Sequence, residues 1–226
     1  MNTRRVTIPA EPEPIEVEVE RSAALIVDMQ NAFAAPGGAF ERWGADMSLG
    51  KKPTENMAAL TDTLRRRDGK VVYVCHVYSP DLRESGGEGS ANWRKSRIVR
   101  DAVQKPDTRD SLPIRGRWGA NVVAPLAPKT DDAVVEKTRH SGFYETNLDA
   151  TLKELDVKYL FVCGTEMSIC VESTARDAFW RGYFVILVTD AAICTPPSFR
   201  NDATIWNIRA GFGWVTTTAN VLKALA

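Results

Sequence analysis

Short apolar runs punctuate the chain at residues 23–27, 71–74, 133–135, 159–162 and 183–188. Each is bounded by turn-forming residues and mostly lacks polar alternation, which predicts strands buried on both faces, as in a parallel sheet. Between them lie segments with helical spacing: 53–67, ending before Asp68-Gly69, then 146–155, 168–181, ending at Gly182, and 198–211. Strand alternating with helix implies an α/β fold, a doubly wound, mainly parallel sheet with helices on both faces. No internal repeat interrupts it, and 226 residues fit one domain spanning 1–226. The acidic, proline-rich stretch 10–20 reads as part of an N-terminal arm over 1–20. Residues 79–117 read as a long polar insertion with little periodicity, and loops of that length are typically functional lids or disordered segments.

Composition narrows the partners. The 29 basic and 29 acidic residues cancel, so no global field draws the chain to nucleic acid, and a small molecule is the expected ligand. No apolar run reaches the roughly 18 residues of a membrane span, and the first residues lack the apolar core of a signal peptide. These features predict a cytoplasmic protein without membrane contact. The four cysteines (Cys75, Cys163, Cys170, Cys194) form no Cys-x-x-Cys pair and are expected to be reduced thiols. The two histidines, His76 and His140, fall in no metal-binding motif, so neither a metal nor another cofactor is expected.

Ligands of open α/β sheets sit beyond the carboxyl ends of the strands. Asp28 follows Ala-Leu-Ile-Val, Lys137 follows Ala-Val-Val-Glu, and the turn 164–170 follows Leu-Phe-Val-Cys. Three strand ends thus offer a carboxylate, an ammonium and a thiol to one crevice. Ser168 as an N-cap would place Cys170 in a first helical turn, where the helix dipole and free N–H groups favour thiolate and could hold an oxyanion. Asp28 suits a general base that later protonates a leaving amine, and Lys137 could lower the thiol pKa by charge. Each also has a plainer reading. A free cysteine is most often a small core residue, a strand-terminal Asp often a turn residue, and most lysines are solvated.

Together the segments ALIVDMQNAF, VVEKTRHSGFYETNL and VCGTEMSICVESTARDAFWRGY resemble the isochorismatase-like cysteine hydrolases over nearly the whole chain. Within them, DMQNAFAAPGGAF, GSANWRKS, KTRHSGFYET and the late GFGWV are most similar to the ureidoacrylate amidohydrolases of pyrimidine degradation, with biuret and triuret hydrolases sharing much of the pattern. The resemblance implies Cys170 as nucleophile with Asp28 and Lys137 beside it, and an oxyanion hole of the Met167 and Cys170 backbone N–H groups. The family turn usually reads Gly-x-x-Thr-x-x-Cys with a non-proline cis peptide before the Thr, which here implies a cis bond from Glu166 to Met167. A buried Glu166 in place of the usual residue would change pocket polarity and hence the substrate. The Asp-x-His pair of the metal-dependent nicotinamidases is missing, since that region reads Cys75-His76-Val77-Tyr78. Isochorismatases proper cleave a vinyl ether and need no thiol, so Cys170 favours the amide-cleaving branch.

Candidate substrate contacts are Asn31, Phe33, His76, Tyr78, Glu84, Trp93, Ser96, His140, Tyr144 and Glu166. Trp93, Glu84 and Tyr78 head the set, because a flat ureido group suits an aromatic wall with a few polar anchors. Arg94, Lys95, Arg97 and Arg100 form a small basic cluster, one member of which could clamp a substrate carboxylate. The expected function is hydrolysis of the carbamoyl C–N bond of a ureidoacrylate-like compound through a thioester-type intermediate, in a homo-oligomer. Biuret or triuret hydrolysis is the alternative, and a non-catalytic α/β binding domain the further one.

Overall fold

The computed structural model describes residues 4–226. Strands β1 (Arg5–Ile8) and β2 (Ile15–Glu18) pair antiparallel. The main sheet holds β3 (Ser22–Val27), β4 (Lys70–His76), β5 (Ala133–Lys137), β6 (Tyr159–Gly164), β7 (Phe184–Ala192) and β8 (Trp214–Thr216). All six run parallel, in the order β5-β4-β3-β6-β7-β8. The helices are α1 (Asn31–Ala34), α2 (Ala39–Arg42), α3 (Lys51–Arg66), α4 (Ala91–Lys95), α5 (Arg97–Gln104), α6 (Leu148–Glu154), α7 (Glu172–Trp180), α8 (Phe199–Asn207) and α9 (Thr218–Leu225). The doubly wound sheet expected from the apolar runs is the one observed.

Alternate residues of each strand feed two cores, as the two-residue pleat requires. On one face Ala24, Ile26, Tyr73 and Phe161 pack against Met57, Leu60 and Leu64 of α3 and Val221 and Leu225 of α9. On the other, Leu25, Val27, Val74 and Val162 meet Leu148 and Leu152 of α6 and Ala175 and Ala178 of α7. Every residue of β3 and β6 is buried. Chain order runs outward from β3 through β4 to β5, then from β6 through β7 to β8, so the winding reverses between β3 and β6. That reversal opens the crevice where α/β sheets take their ligands.

Two segments depart from expectation. The N-terminal arm is a packed hairpin, because Ile15, Val17 and Val19 alternate with glutamates and join Ile8 in the first core; of the arm, residues 1–3 lie outside the described ones. The insertion 79–117 is ordered into α4, α5 and short 3-10 turns. Ile98, Val99 and Ala102 lie on one face of α5 and form a third, small core with Ala32, Phe33, Ala39, Tyr78, Leu112 and Ile114. Ser90 and Ser96 cap α4 and α5 by accepting from the Trp93 and Val99 N–H groups. Among the described residues no helix is long and apolar enough to cross a membrane.

Candidate active site

Asp28 is the first residue after β3 and takes a left-handed backbone, φ 53°. Its N–H donates to Val74 O (2.8 Å), tying it to the end of β4. The buried Gln30 amide reinforces that junction, donating to His76 O (3.0 Å) and Ala120 O (2.8 Å) and accepting from the His76 N–H (2.8 Å). Lys137, the last residue of β5, is fully enclosed and donates to Asp28 Oδ2 (2.7 Å) and Arg139 O (3.0 Å). Its Nζ also lies 3.5 Å from His76 Nδ1.

The nucleophile candidate arrives from β6. Gly164 sits at φ 124°, and a Cβ there would lie 2.0 Å from Val27 O, so only glycine lets the end of β6 press against β3. The next N–H, of Thr165, donates to Val27 O (2.9 Å). The chain then makes one wide π turn over Met167–Val171 before α7 begins at Glu172. Cys170 therefore lies inside that turn, and Ser168 is not a cap: its hydroxyl accepts from Arg200 (2.8 Å).

Two expectations at this turn are corrected. The non-proline cis peptide joins Thr165 to Glu166, one residue earlier than the resemblance implied. The Met167 N–H donates to Ile193 O (3.0 Å) and is not free to hold an oxyanion. The Glu166 N–H, by contrast, has no hydrogen-bond partner among the described residues.

Electrostatics around the thiol follow from burial. Burial pushes the Cys170 thiol well above its ordinary range, while the neighbouring Lys137 ammonium pulls it down and Asp28 pushes it up. The sum keeps the resting sulfur protonated, contrary to the thiolate expected from a helix N-terminus. Burial opposes charge on Lys137 too, but its attraction to the Asp28 carboxylate outweighs that, so its pKa is raised. Burial and the Lys137 charge lower His76 well below its usual value, and the same causes lower His140. Both imidazoles rest neutral at pH 7. His140 Nδ1 lies 3.5 Å from Cys170 Sγ. Chemically, a neutral thiol beside a carboxylate with one buried oxygen, Asp28 Oδ1, unpartnered among the described residues, is set for proton transfer followed by nucleophilic attack.

Asp28, His76, His140 and Cys170 line a cavity of about 250 Å³, with Lys137 enclosed behind them. Of the expected substrate contacts, Phe33, His76, Tyr78, Ser96, His140 and Glu166 line it. Asn31, Glu84, Trp93 and Tyr144 do not. Asn31 donates to Trp118 O (2.9 Å), and Glu84 accepts from the Ser79 N–H and hydroxyl. Trp93 faces a separate surface depression with Arg94 and Arg100, and Tyr144 is half exposed beneath the Arg139 guanidinium. Phe40, Trp43, Asn92 and Arg139 also line the cavity and were not anticipated. From the basic cluster Lys95 and Arg97 reach it, with Arg97 stacked 4.8 Å over Trp43.

The isochorismatase domain model matches residues 22–220, which contain the whole sheet and all three converging groups. The chain belongs to the isochorismatase family. Its relatives include a ureidoacrylate amidohydrolase of Azorhizobium caulinodans, 39% identical over 97% of this chain and 96% of that protein. Another from Agrobacterium fabrum is 37% identical over 94% and 93%. Among solved structures, a cysteine hydrolase from Pseudomonas syringae pv. phaseolicola superimposes with a TM-score of 0.75 at 27% identity, covering 100% of this chain and 98% of that one. The N-carbamoylsarcosine amidase of Thermoplasma acidophilum gives 0.63 at 26% identity, covering 88% and 96%.

Proposed function

We propose that the protein is a cysteine amidohydrolase cleaving the carbamoyl C–N bond of a small ureido compound, a ureidoacrylate-like molecule first among them. The observation that carries this reading is the enclosed Lys137–Asp28 pair, 2.7 Å apart, acting on the Cys170 thiol at the wall of the cavity. The activities named for the relatives from Azorhizobium and Agrobacterium support the substrate class.

In this mechanism Asp28 takes the thiol proton as Sγ attacks the carbamoyl carbon, and the carbonyl oxygen becomes an oxyanion held by the Glu166 and Cys170 N–H groups. Collapse breaks the C–N bond, Asp28 returns its proton to the departing nitrogen, and a carbamoyl thioester remains on Cys170. Water then attacks that carbon and gives a proton to Asp28. The C–S bond breaks, the sulfur recovers the proton, and carbamic acid leaves. Lys137 holds the carboxylate in place and offsets its charge throughout.

We read residues 1–226 as one catalytic domain in which 79–117 cover the site. The aromatic faces of Phe179, Trp180, Phe199 and Trp206, each 42–68% exposed, support a homo-oligomer, and four free thiols support a reducing, cytoplasmic setting. The test is a panel of ureidoacrylate, biuret, triuret, N-carbamoyl amino acids and nicotinamide assayed with wild-type and Cys170→Ala protein. Turnover of a ureido compound by the wild type alone is expected. Undiminished turnover by folded Cys170→Ala would remove the covalent mechanism.

A further inference from the structure

A carbonyl carbon under attack carries three other substituents: its oxygen, the leaving nitrogen and the group that is retained. Under the mechanism proposed above, on which this inference rests, the oxygen belongs to the backbone N–H groups of the Cys170 turn and the leaving nitrogen faces Asp28. Sheet order then assigns the third direction. Cys170 follows β6; Asp28 follows β3 on one flank, and the segment after β7 lies on the other. The retained group faces the β7 flank.

On that flank stands a carboxylate with an acceptor to spare. Glu166 is 4% exposed and lines the cavity. Its Oε2 accepts from the Thr195 N–H (3.2 Å) and from the Thr195 hydroxyl. Its Oε1 has only a long approach from the same N–H (3.4 Å) and Arg200 at 4.0 Å. A buried carboxylate oxygen so weakly engaged favours a ligand that donates to it. An amino group retained on the reacting carbon does so; a methyl or methylene group does not, and leaves the oxygen dry and unpaired.

We propose that Glu166 selects ureido compounds over carboxamides by accepting an N–H from the nitrogen retained on the reacting carbon. Arg200, held by Ser168 (2.8 Å), keeps the carboxylate on this flank without occupying Oε1 at hydrogen-bond distance.

The experiment compares the N-carbamoyl and N-acetyl derivatives of one amine as substrates of wild type, Glu166→Ala and Glu166→Gln. The two differ only in the retained group, NH2 against CH3, and their unequal intrinsic reactivity cancels when variants are compared. Glu166→Ala is expected to lower kcat/KM for the carbamoyl compound about 10- to 100-fold more than for the acetyl compound, the effect of losing a hydrogen bond to a charged partner. Glu166→Gln keeps an acceptor oxygen and is expected to retain most of the wild-type ratio. Equal losses for both substrates would mean that Glu166 only supports the turn, and would overturn the assignment. If the wild type turns over neither compound, the hydrolase reading falls for this pair, and calorimetric binding of both to Cys170→Ser still decides the role of Glu166. A carbamoyl preference there that Glu166→Ala abolishes upholds the role; equal affinities, or no binding, overturn it.

Discussion

Replacing Lys137 with Met perturbs the most enclosed joint of the site. The Lys137 side chain is 0% exposed and that of Asp28 3%, with 2.7 Å between Nζ and Oδ2. Asp28 Oδ1 already lacks a partner among the described residues, so removing the ammonium strands the whole carboxylate. Breaking a buried pair from one side costs about 3–5 kcal/mol. At about 2–4 °C per kcal/mol for a domain of this size, Tm should fall by about 6–20 °C. Thermal and urea unfolding of both proteins measure the loss. Its pH dependence has a definite sign. Because the folded pKa of Lys137 is raised, its stabilisation is fully present below the unfolded value of about 10.4 and is lost as pH rises through the folded value. The wild-type margin should therefore be complete at neutral pH and shrink in strong alkali. Adding Asp28→Asn should recover much of the loss, since two neutral groups replace a stranded charge. A single-variant loss below about 1 kcal/mol, as for an exposed pair, would refute this account, as would a double variant no more stable than Lys137→Met.

Three further outcomes follow from the same geometry. Asp28→Asn should cut turnover by about 10²- to 10⁴-fold while leaving substrate Kd nearly unchanged, because proton transfer rather than binding is removed; calorimetry beside steady-state kinetics separates the two. Iodoacetamide alkylation of Cys170 should have its pH midpoint above the ordinary thiol value of about 8.5, and Lys137→Met should move it higher still, since Lys137 is the group pulling it down; a midpoint near 7 would contradict the burial argument. Gly164→Ala should cost at least about 3 kcal/mol, combining left-handed strain with the overlap at Val27 O, whereas Gly182→Ala, at φ 87° with open space around it, should cost about 1–2 kcal/mol; equal unfolding midpoints would show that the β3–β6 approach is not tight.

Strands β3, β4, β6 and β7 were legible because burial on both faces leaves uninterrupted apolar runs, whereas β5, an edge strand with Val134 exposed, was legible from its β-branched residues alone; the strand ends then pointed to Asp28, Lys137 and Cys170. The hairpin was legible in principle from Ile15-Glu16-Val17-Glu18-Val19, but its acidic, proline-rich composition concealed the alternation. Strand β8, three residues long, and α9 lack enough length for a periodic signal. The cavity's outer wall was the least readable part. Asn92 lines it while Trp93, the next residue, faces away, and a rotation of about 100° per helical residue decides between them. The Asn92 amide fixes that rotation by donating to the Tyr78 hydroxyl (3.1 Å) and Ser85 O (3.2 Å), contacts made outside the helix itself. The Met167 donor was misassigned because the residue types of a turn do not reveal which N–H is already taken by Ile193 O.

The pairing of β3 with β6 acts as a ruler. Val27 lies opposite Gly164 and His76 opposite Lys137, so the three reactive groups are indexed to strand register and not to the lengths of the segments joining them. A slip of two residues would carry one group about 6.6 Å from the others, whereas a cut or an insertion in a connection leaves the spacing untouched. The N-terminal hairpin also meets the last helix, Asn220 of α9 donating to Pro9 O (3.2 Å) after β1. A cut in the exposed turn at residues 128–131 would keep every strand in place. The site is thus a property of the sheet's weave, indifferent to the order in which the chain threads it.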